Sequence, residues 1–127
     1  MSSSTNRFPH QRLDAYRVSL RLVKGVEDLV RAFPRGHADT RDQLRRAASA
    51  TLRHIAEASG RTFPRDKAAR FMVARGEVAE CDAVLEMAHM LDLADGAEIV
   101  RLRRLADRVS AMLLGLVRAE RRYADPG

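Results

Sequence analysis

The stretch Gln43–Gly60, QLRRAASATLRHIAEASG, decides the fold of this chain. Leu44, Ala47, Ala48, Thr51, Leu52, Ile55 and Ala58 recur every three or four positions, the spacing of one helical face. Several of these residues are small, so a neighbouring helix can approach closely. Arg41, Arg45, Arg46 and Arg53 mostly share another side. Thr40-Arg41-Asp42-Gln43 has capping-box spacing, with Asp39 as a rival cap, and Gly60 is a good C-terminal stop. A helix is therefore expected from about Thr40 to Ser59.

The same periodicity extends to both sides. Leu13, Tyr16, Leu20, Val23 and Val30 predict a buried face on a helix over His10–Ala32, widened by Val18, Leu22, Val26 and Leu29. Phe33-Pro34-Arg35-Gly36 ends it, because Pro disfavours helix at the preceding residue and Gly permits a turn. Phe63-Pro64-Arg65-Asp66 opens the next helix, expected over Arg65–Leu91, with Phe71, Ala74, Val78, Cys81, Leu85 and Ala88 inside and Met72 and Met87 flanking. Gly76 interrupts that helix, and a close helix–helix contact would account for it. Leu93-Ala94-Asp95-Gly96 turns the chain, and Asp95-Gly96-Ala97-Glu98 resembles another capping box. The last helix is expected over Ala97–Arg122, with Ile99, Leu102, Leu105, Val109, Met112, Leu113 and Leu116 inside. Arg118, Arg121 and Arg122 sit in its last turns, where cations favour the helix dipole.

Four amphipathic helices joined by short turns predict an all-α, antiparallel up-down-up-down four-helix bundle over residues 8–122. Residues 1–7 are Ser-rich and expected to be disordered, and 123–127 are expected to fray. The composition agrees with a single helical domain. Apolar residues make up 46% of the 127, aromatics only 5%, and there is no Trp, a mixture that favours helix over strand. No apolar run approaches the roughly 20 residues that cross a bilayer. The start, MSSSTNRFPHQ, has no apolar h-region of a secretory signal. The lone Cys81 cannot form an internal disulfide and fits a reducing compartment, so a cytoplasmic location is expected.

The net charge of +6 is unevenly distributed. Residues 35–75 hold ten Lys or Arg against four acids, a local charge of +6, whereas residues 77–98 hold seven acids and no Lys or Arg, a local charge of −7. Such polarity attracts a polyanion or another copy of the same chain. Arg41, Arg45, Arg46, Arg53 and Arg61 are the candidate phosphate-contacting residues, since the guanidinium group suits bidentate phosphate contacts. Arg65, Lys67 and Arg70 continue the basic run. The competing reading is a solvated face paired with the acidic block. No aromatic is interleaved as a stacking platform, and no helix-turn-helix or zinc-finger pattern occurs, so any binding is expected to be directed by backbone and shape.

The features of a catalytic or metal centre are thin. Glu86-Met87-Ala88-His89 has the Glu-x-x-His spacing of di-iron bundles, but those use two such motifs and two further Glu, and this chain has one. His54-Ile55-Ala56-Glu57 has the reversed order. Cys81 falls on an apolar stripe, Ser49 and Ser59 lack an evident base, His37 lies in a turn, and no Gly-rich phosphate loop is present. No enzymatic activity, metal or cofactor is expected.

Gln43-Leu44-Arg45-Arg46-Ala47-Ala48 followed by Ile55-Ala56-Glu57 resembles the "QLRRAA…NIAEG" signature of a bacterial four-helix-bundle family encoded in intervening sequences of 23S ribosomal RNA genes. Leu13-Asp14-Ala15-Tyr16, Phe33-Pro34, Phe71 with Ala74-Arg75-Gly76-Glu77 and Glu80, and Leu91-Asp92-Leu93 resemble further family segments in the same order, over about residues 8–120. The chain departs from the pattern where Ala50-Thr51-Leu52 replaces Ser-Ile-Pro, His54 replaces Asn and Ala58 replaces Gly. Without that Pro, the helix is expected to be straighter and better hydrogen-bonded than in relatives. The resemblance implies a homopentamer around a central channel. It also implies kinship with the accessory variability protein of diversity-generating retroelements, which binds nucleic acid and a reverse transcriptase. A ring needs one patch to meet a different one, and the basic and acidic blocks are candidates, helix two of one copy against helix three of the next. The function expected is that of a non-enzymatic, oligomeric RNA-binding accessory protein. The alternative is a protein–protein adaptor whose charges serve self-assembly and partner docking.

Overall fold

A computed structural model describes residues 8–125. A short 3-10 helix, Pro9–Arg12, leads into α1 (Asp14–Arg31), α2 (Ala38–Ser59), α3 (Pro64–Met90) and α4 (Gly96–Ala124). These helices form a four-helix bundle, and no strand occurs among the described residues. The expectation for residues 1–7 falls outside the described residues. Each helix packs against the next, and α4 returns to pack against α1, so the four surround one core. Leu22, Leu44, Ile55, Phe71, Leu85, Leu102 and Leu113 are fully buried there.

The inward faces of α2, α3 and α4 follow the sequence periodicity closely. Leu44, Ala47, Ala48, Thr51, Ile55 and Ala58 are buried on α2, and all six residues expected inside α3 are buried. The structure adds Ala50 and Ser59 on α2, Ala68 and Val84 on α3, and Ala106 and Val117 on α4 to the expected faces, and leaves Leu52, Met112 and Leu116 only half-buried. On α1 the inward face centres on the widening residues Val18, Leu22, Val26 and Leu29, while Leu13, Tyr16 and Val23 are only partly buried against the core. Leu20 is 44% exposed, whereas Ala15, Ser19 and Gly25 are buried beside Val18, Leu22, Val26 and Leu29. The physical reason is that small residues, not only large apolar ones, mark the side that a neighbouring helix covers. Ser19 costs little in this position because its hydroxyl donates to the Tyr16 carbonyl at 2.8 Å. Thr51 is satisfied in the same way by Ala47, also at 2.8 Å, within an unbroken α2.

The helix ends differ from expectation in detail. The Thr40 and Asp95 capping boxes do not form: α2 begins earlier, with His37 at its N-cap, and neither N-cap makes a side-chain cap hydrogen bond. Once the backbone of α2 winds from Ala38, Thr40 lies inside the first turn and cannot cap it. Pro64 takes the first position of α3, where its missing N–H costs no helical hydrogen bond. α3 closes in a Schellman turn: Leu93 N–H donates to Ala88 O and Asp92 N–H to His89 O, at 2.9 and 3.1 Å. Asp92 supplies the required left-handed conformation, with φ 54°. Leu93 is buried against the core, which anchors the turn.

Two glycines carry opposite meanings. Gly25 is buried, and a Cβ added there would overlap Leu102 Cδ2 on α4. Gly76, expected at a close contact, instead faces open space within the chain, with nothing within 4 Å of an added Cβ. The close approach lies one helix pair away, between α1 and α4.

Replacing Gly25 with Ala forces α1 and α4 apart or Leu102 off its rotamer, an overpacking cost of about 1–3 kcal/mol. Chemical denaturation of the G25A variant should show that loss, and an unchanged or higher midpoint contradicts the packing described. Cys81 is buried, and desolvation, followed by the nearby Asp82 and Glu80 charges, pushes its thiol up to about 12. At about pH 8, near the pKa of a free thiol, the native protein should resist iodoacetamide until denatured, with mass spectrometry as the readout.

Candidate nucleic-acid interface

The five arginines singled out by sequence do not form one free cluster. Arg41, at the start of α2, donates from Nη2 to the Pro34 carbonyl at 3.2 Å and braces the α1–α2 turn. One helical turn on, Arg45 Nε lies 3.1 Å from Glu27 Oε1 of α1. Arg46 points to the other flank of α2, with Nη2 at 3.6 Å from Glu80 Oε2 of α3. Arg53 is exposed and has no side-chain partner among the described residues. Past the end of α2, Arg61 pairs with Glu57 at 2.7 Å and Asp66 at 3.5 Å.

Glu57 is the hub of this group. Arg61 and, at 3.6 Å, Arg70 both reach its Oε1, and His54 Nδ1 lies 3.9 Å from Oε2. The hydrogen bond from Arg61, with the Arg70 charge behind it, holds the Glu57 carboxyl below the usual carboxylate range. The same bond raises the Arg61 pKa, so both groups are charged at neutral pH. His54 Nδ1 is buried without a hydrogen-bond partner.

The acidic block is also engaged inside the chain. Arg103 of α4 donates from Nε to Asp82 at 2.8 Å and from Nη2 at 3.1 Å, a two-pronged contact, and approaches Glu86 at 3.8 Å. The Asp82 hydrogen bonds raise the Arg103 pKa. Lys67 meets Glu120 at 3.4 Å, and Arg75 Nε donates to the Ser110 carbonyl at 3.3 Å. Part of each charge block is therefore neutralised by its neighbours in the same bundle. These pairs lie at or near the surface, where an ion pair contributes little to stability and exchanges readily with other ions.

The sequence reading missed the arginines of α4. Arg104, Arg108, Arg118, Arg121 and Arg122 are exposed and lack side-chain partners among the described residues. An open groove of about 710 Å³ between α3 and α4 is lined by Val78, Asp82, Val100, Arg103, Arg104 and Arg108. A second, of about 510 Å³, holds Arg65, Arg121 and Arg122 where α3 begins and α4 ends. The available signal was the four-residue repeat Arg104/Arg108 and Arg118/Arg122, which stands out only once the outward side of α4 is known.

Other candidate chemistry is dispersed. His54 and Glu57 sit on α2, while Glu86 and His89 are exposed near the end of α3, and Glu86 faces Arg103. No group of three or more His, Cys, Asp or Glu side chains among the described residues has the geometry to hold a metal ion. The Ser49 and Ser59 hydroxyls donate to carbonyls of their own helix, at Arg46 and Ala56. No helix of the described residues is long and apolar enough to cross a membrane.

No curated protein matches the chain. The family model of the 23S rRNA-intervening sequence protein matches residues 11–115, from the 3-10 helix through most of α4. That span includes α2 with its QLRRAA segment, and by it the chain belongs to the 23S rRNA-intervening sequence protein family.

Proposed function

We propose that this protein is a non-enzymatic, self-assembling bundle that binds structured RNA through its arginine surface, with Arg41, Arg45, Arg46, Arg53 and Arg61 among the phosphate contacts. The observation that carries this reading is the surface placement of the α2 arginines: Arg45 and Arg46 keep 42% and 66% of their side chains exposed. A phosphate can replace a carboxylate partner there without desolvating a buried charge. The net charge of +6 supplies the long-range attraction.

The helices run antiparallel, up-down-up-down. The order of cross-helix pairs supports this: Arg65 with Asp125, Lys67 with Glu120, Arg75 with Ser110 and Asp82 with Arg103 ascend α3 as α4 descends. Arg46 with Glu80 and Glu57 with Arg70 likewise run in opposite order along α2 and α3, which supports opposite senses for that pair too.

Self-association is supported by α3. An exposed apolar side is one that a partner can cover, and α3, charged on its flanks, bears exposed Ala69, Met72, Val73, Gly76, Ala83 and Met87 opposite its buried face. Two of these face solvent as large apolar side chains at helical spacing, Met72 and Met87, with Val73 beside them. Gly76, which no contact within the chain requires, lets a helix of another copy come close. A ring assembled head to tail through this face, as in the pentamer implied by the family resemblance, uses apolar contact more than the charge blocks. The adaptor reading keeps one specific observation in its favour, the pairing of Arg45 and Arg46 with acids of their own chain.

Retention of a structured RNA should fall steeply with salt, by roughly 500-fold between about 50 and 200 mM for five phosphate contacts. Absence of binding at the lower salt sinks the RNA reading and leaves the adaptor. A Val73→Glu substitution should lower the mass seen by light scattering without changing helix content, and an unchanged mass removes α3 as the assembly face.

A further inference from the structure

We infer that the principal RNA-contacting surface is the outward stripe of α4, with Arg104, Arg108, Arg118 and Arg122 as paired clamps on the phosphates of a double-helical RNA. The inference rests on the RNA-binding reading and moves its centre from α2 to α4.

The stripe follows from helix geometry. Residues 104, 108, 111, 115, 118 and 122 step by four and three, so they fall on one line along the helix. All six are exposed: Arg104, Arg108, Ala111, Gly115, Arg118 and Arg122. At about 1.5 Å per residue the line is roughly 27 Å long, and each Arg pair spans about 6 Å. The centres of the two pairs lie about 21 Å apart.

Three observations separate this stripe from the α2 arginines. First, no side-chain hydrogen bond or ion pair engages any of its four arginines among the described residues, whereas Arg45, Arg46 and Arg61 already hold carboxylates. Their binding to phosphate displaces no protein partner. Second, the middle of the stripe is bare. Ala111 and Gly115 are exposed, and an added Cβ on Gly115 meets nothing within 4 Å. A convex surface can therefore rest on the helix while the Arg pairs reach past it on either side. Third, the stripe carries no acid. Asp107 stands beside it, lining the α3–α4 groove with Arg103, Arg104 and Arg108.

These features fit a duplex better than a single strand. The stripe holds no aromatic on which an unpaired base could stack. A-form RNA has a wide, shallow minor groove bordered by phosphates, which is read by shape and backbone contacts across the groove. Two clamps on a straight, rigid helix suit that geometry, and arginine forms two-pronged bonds to phosphate.

The test uses the full chain and a mixed-sequence RNA duplex of about 20 base pairs, longer than the roughly 16 that a duplex-reading module covers. The variant R104Q/R108Q/R118Q/R122Q removes the clamps. A second variant places Lys at the same four positions, and a third places Gln at Arg41, Arg45, Arg46, Arg53 and Arg61. Removing the clamps should weaken binding on the order of 100-fold and reduce the slope of log K against log salt by about 3.6, near 0.9 per lost contact. The Lys variant should keep the slope, and the α2 variant should lose much less affinity than the clamp variant. Wild-type affinity in the clamp variant overturns the inference. If the α2 variant alone loses binding, the RNA reading stands and its site is α2. Tighter binding to single-stranded RNA or to a DNA duplex of the same sequence also overturns it. So does a clamp variant with lower mass in light scattering, which makes the stripe a contact between copies. No duplex binding by the wild-type chain overturns both the inference and the reading beneath it.

Discussion

The bundle closes because α1 and α4 touch at a glycine. Gly25 lies against Leu102, and a Cβ at position 25 would push Leu102 off its rotamer or the two helices apart. The other helix pairs join neighbours in sequence, so short turns already bring them together. The α1–α4 seam joins the two ends of the chain and has no turn to hold it. It depends on side-chain shape alone, with Leu22, Val26 and Leu29 of α1 and Ile99, Leu102 and Leu105 of α4 contributing to the shared core. A core with few aromatics is filled by many branched aliphatic and small side chains, and this favours close, regular packing over deep pockets. The molecule accordingly offers open grooves along α3 and α4.

The number and order of helices were legible in the sequence because apolar periodicity and Phe-Pro turns are local signals. The centre of the inward face of α1 was not, because the seam selects small residues, and Ser19 and Gly25 carry no hydrophobic weight in a periodicity count. Gly76 illustrates the converse. A glycine inside a helix suggests close approach, but which partner approaches is a tertiary fact, and within this chain none does. The caps failed for a related reason. Thr40 has suitable neighbours, yet α2 begins two residues earlier and places it inside the first turn, whereas Asp95 does stand at the N-cap of α4 but makes no side-chain cap bond.

The candidate site was legible as charge and not as availability. Sequence shows the basic run of residues 35–75 but cannot show that Glu27 and Glu80 flank α2 from two different helices. Helix α2 lies between α1 and α3, and each presents a carboxylate toward its arginines. Arg103, on the α3 side of α4, meets the same fate with Asp82 and Glu86. The arginines along the outward line of α4 carry no carboxylate partner among the described residues, and neither does Arg53 on the exposed side of α2.

The partition of charge therefore follows from the bundle's cross-section more than from composition. A basic residue at a seam lies within reach of the acids of the next helix, and its charge serves registry between helices. A basic residue on the outward line lies beyond that reach, and its charge is left for partners outside the chain. The acidic block of α3 enforces this division: Glu80 engages Arg46 on one flank and Asp82 engages Arg103 on the other. Between those flanks the outward side of α3 is left to Ala, Val, Met and Gly, an apolar surface bordered by neutralised charge. Outward α3 and outward α4 thus differ in kind. One lacks the charge to hold a polyanion, and the other lacks the apolar bulk to hold a second copy of the chain, so the proposed assembly face and the proposed RNA face draw on different side chains.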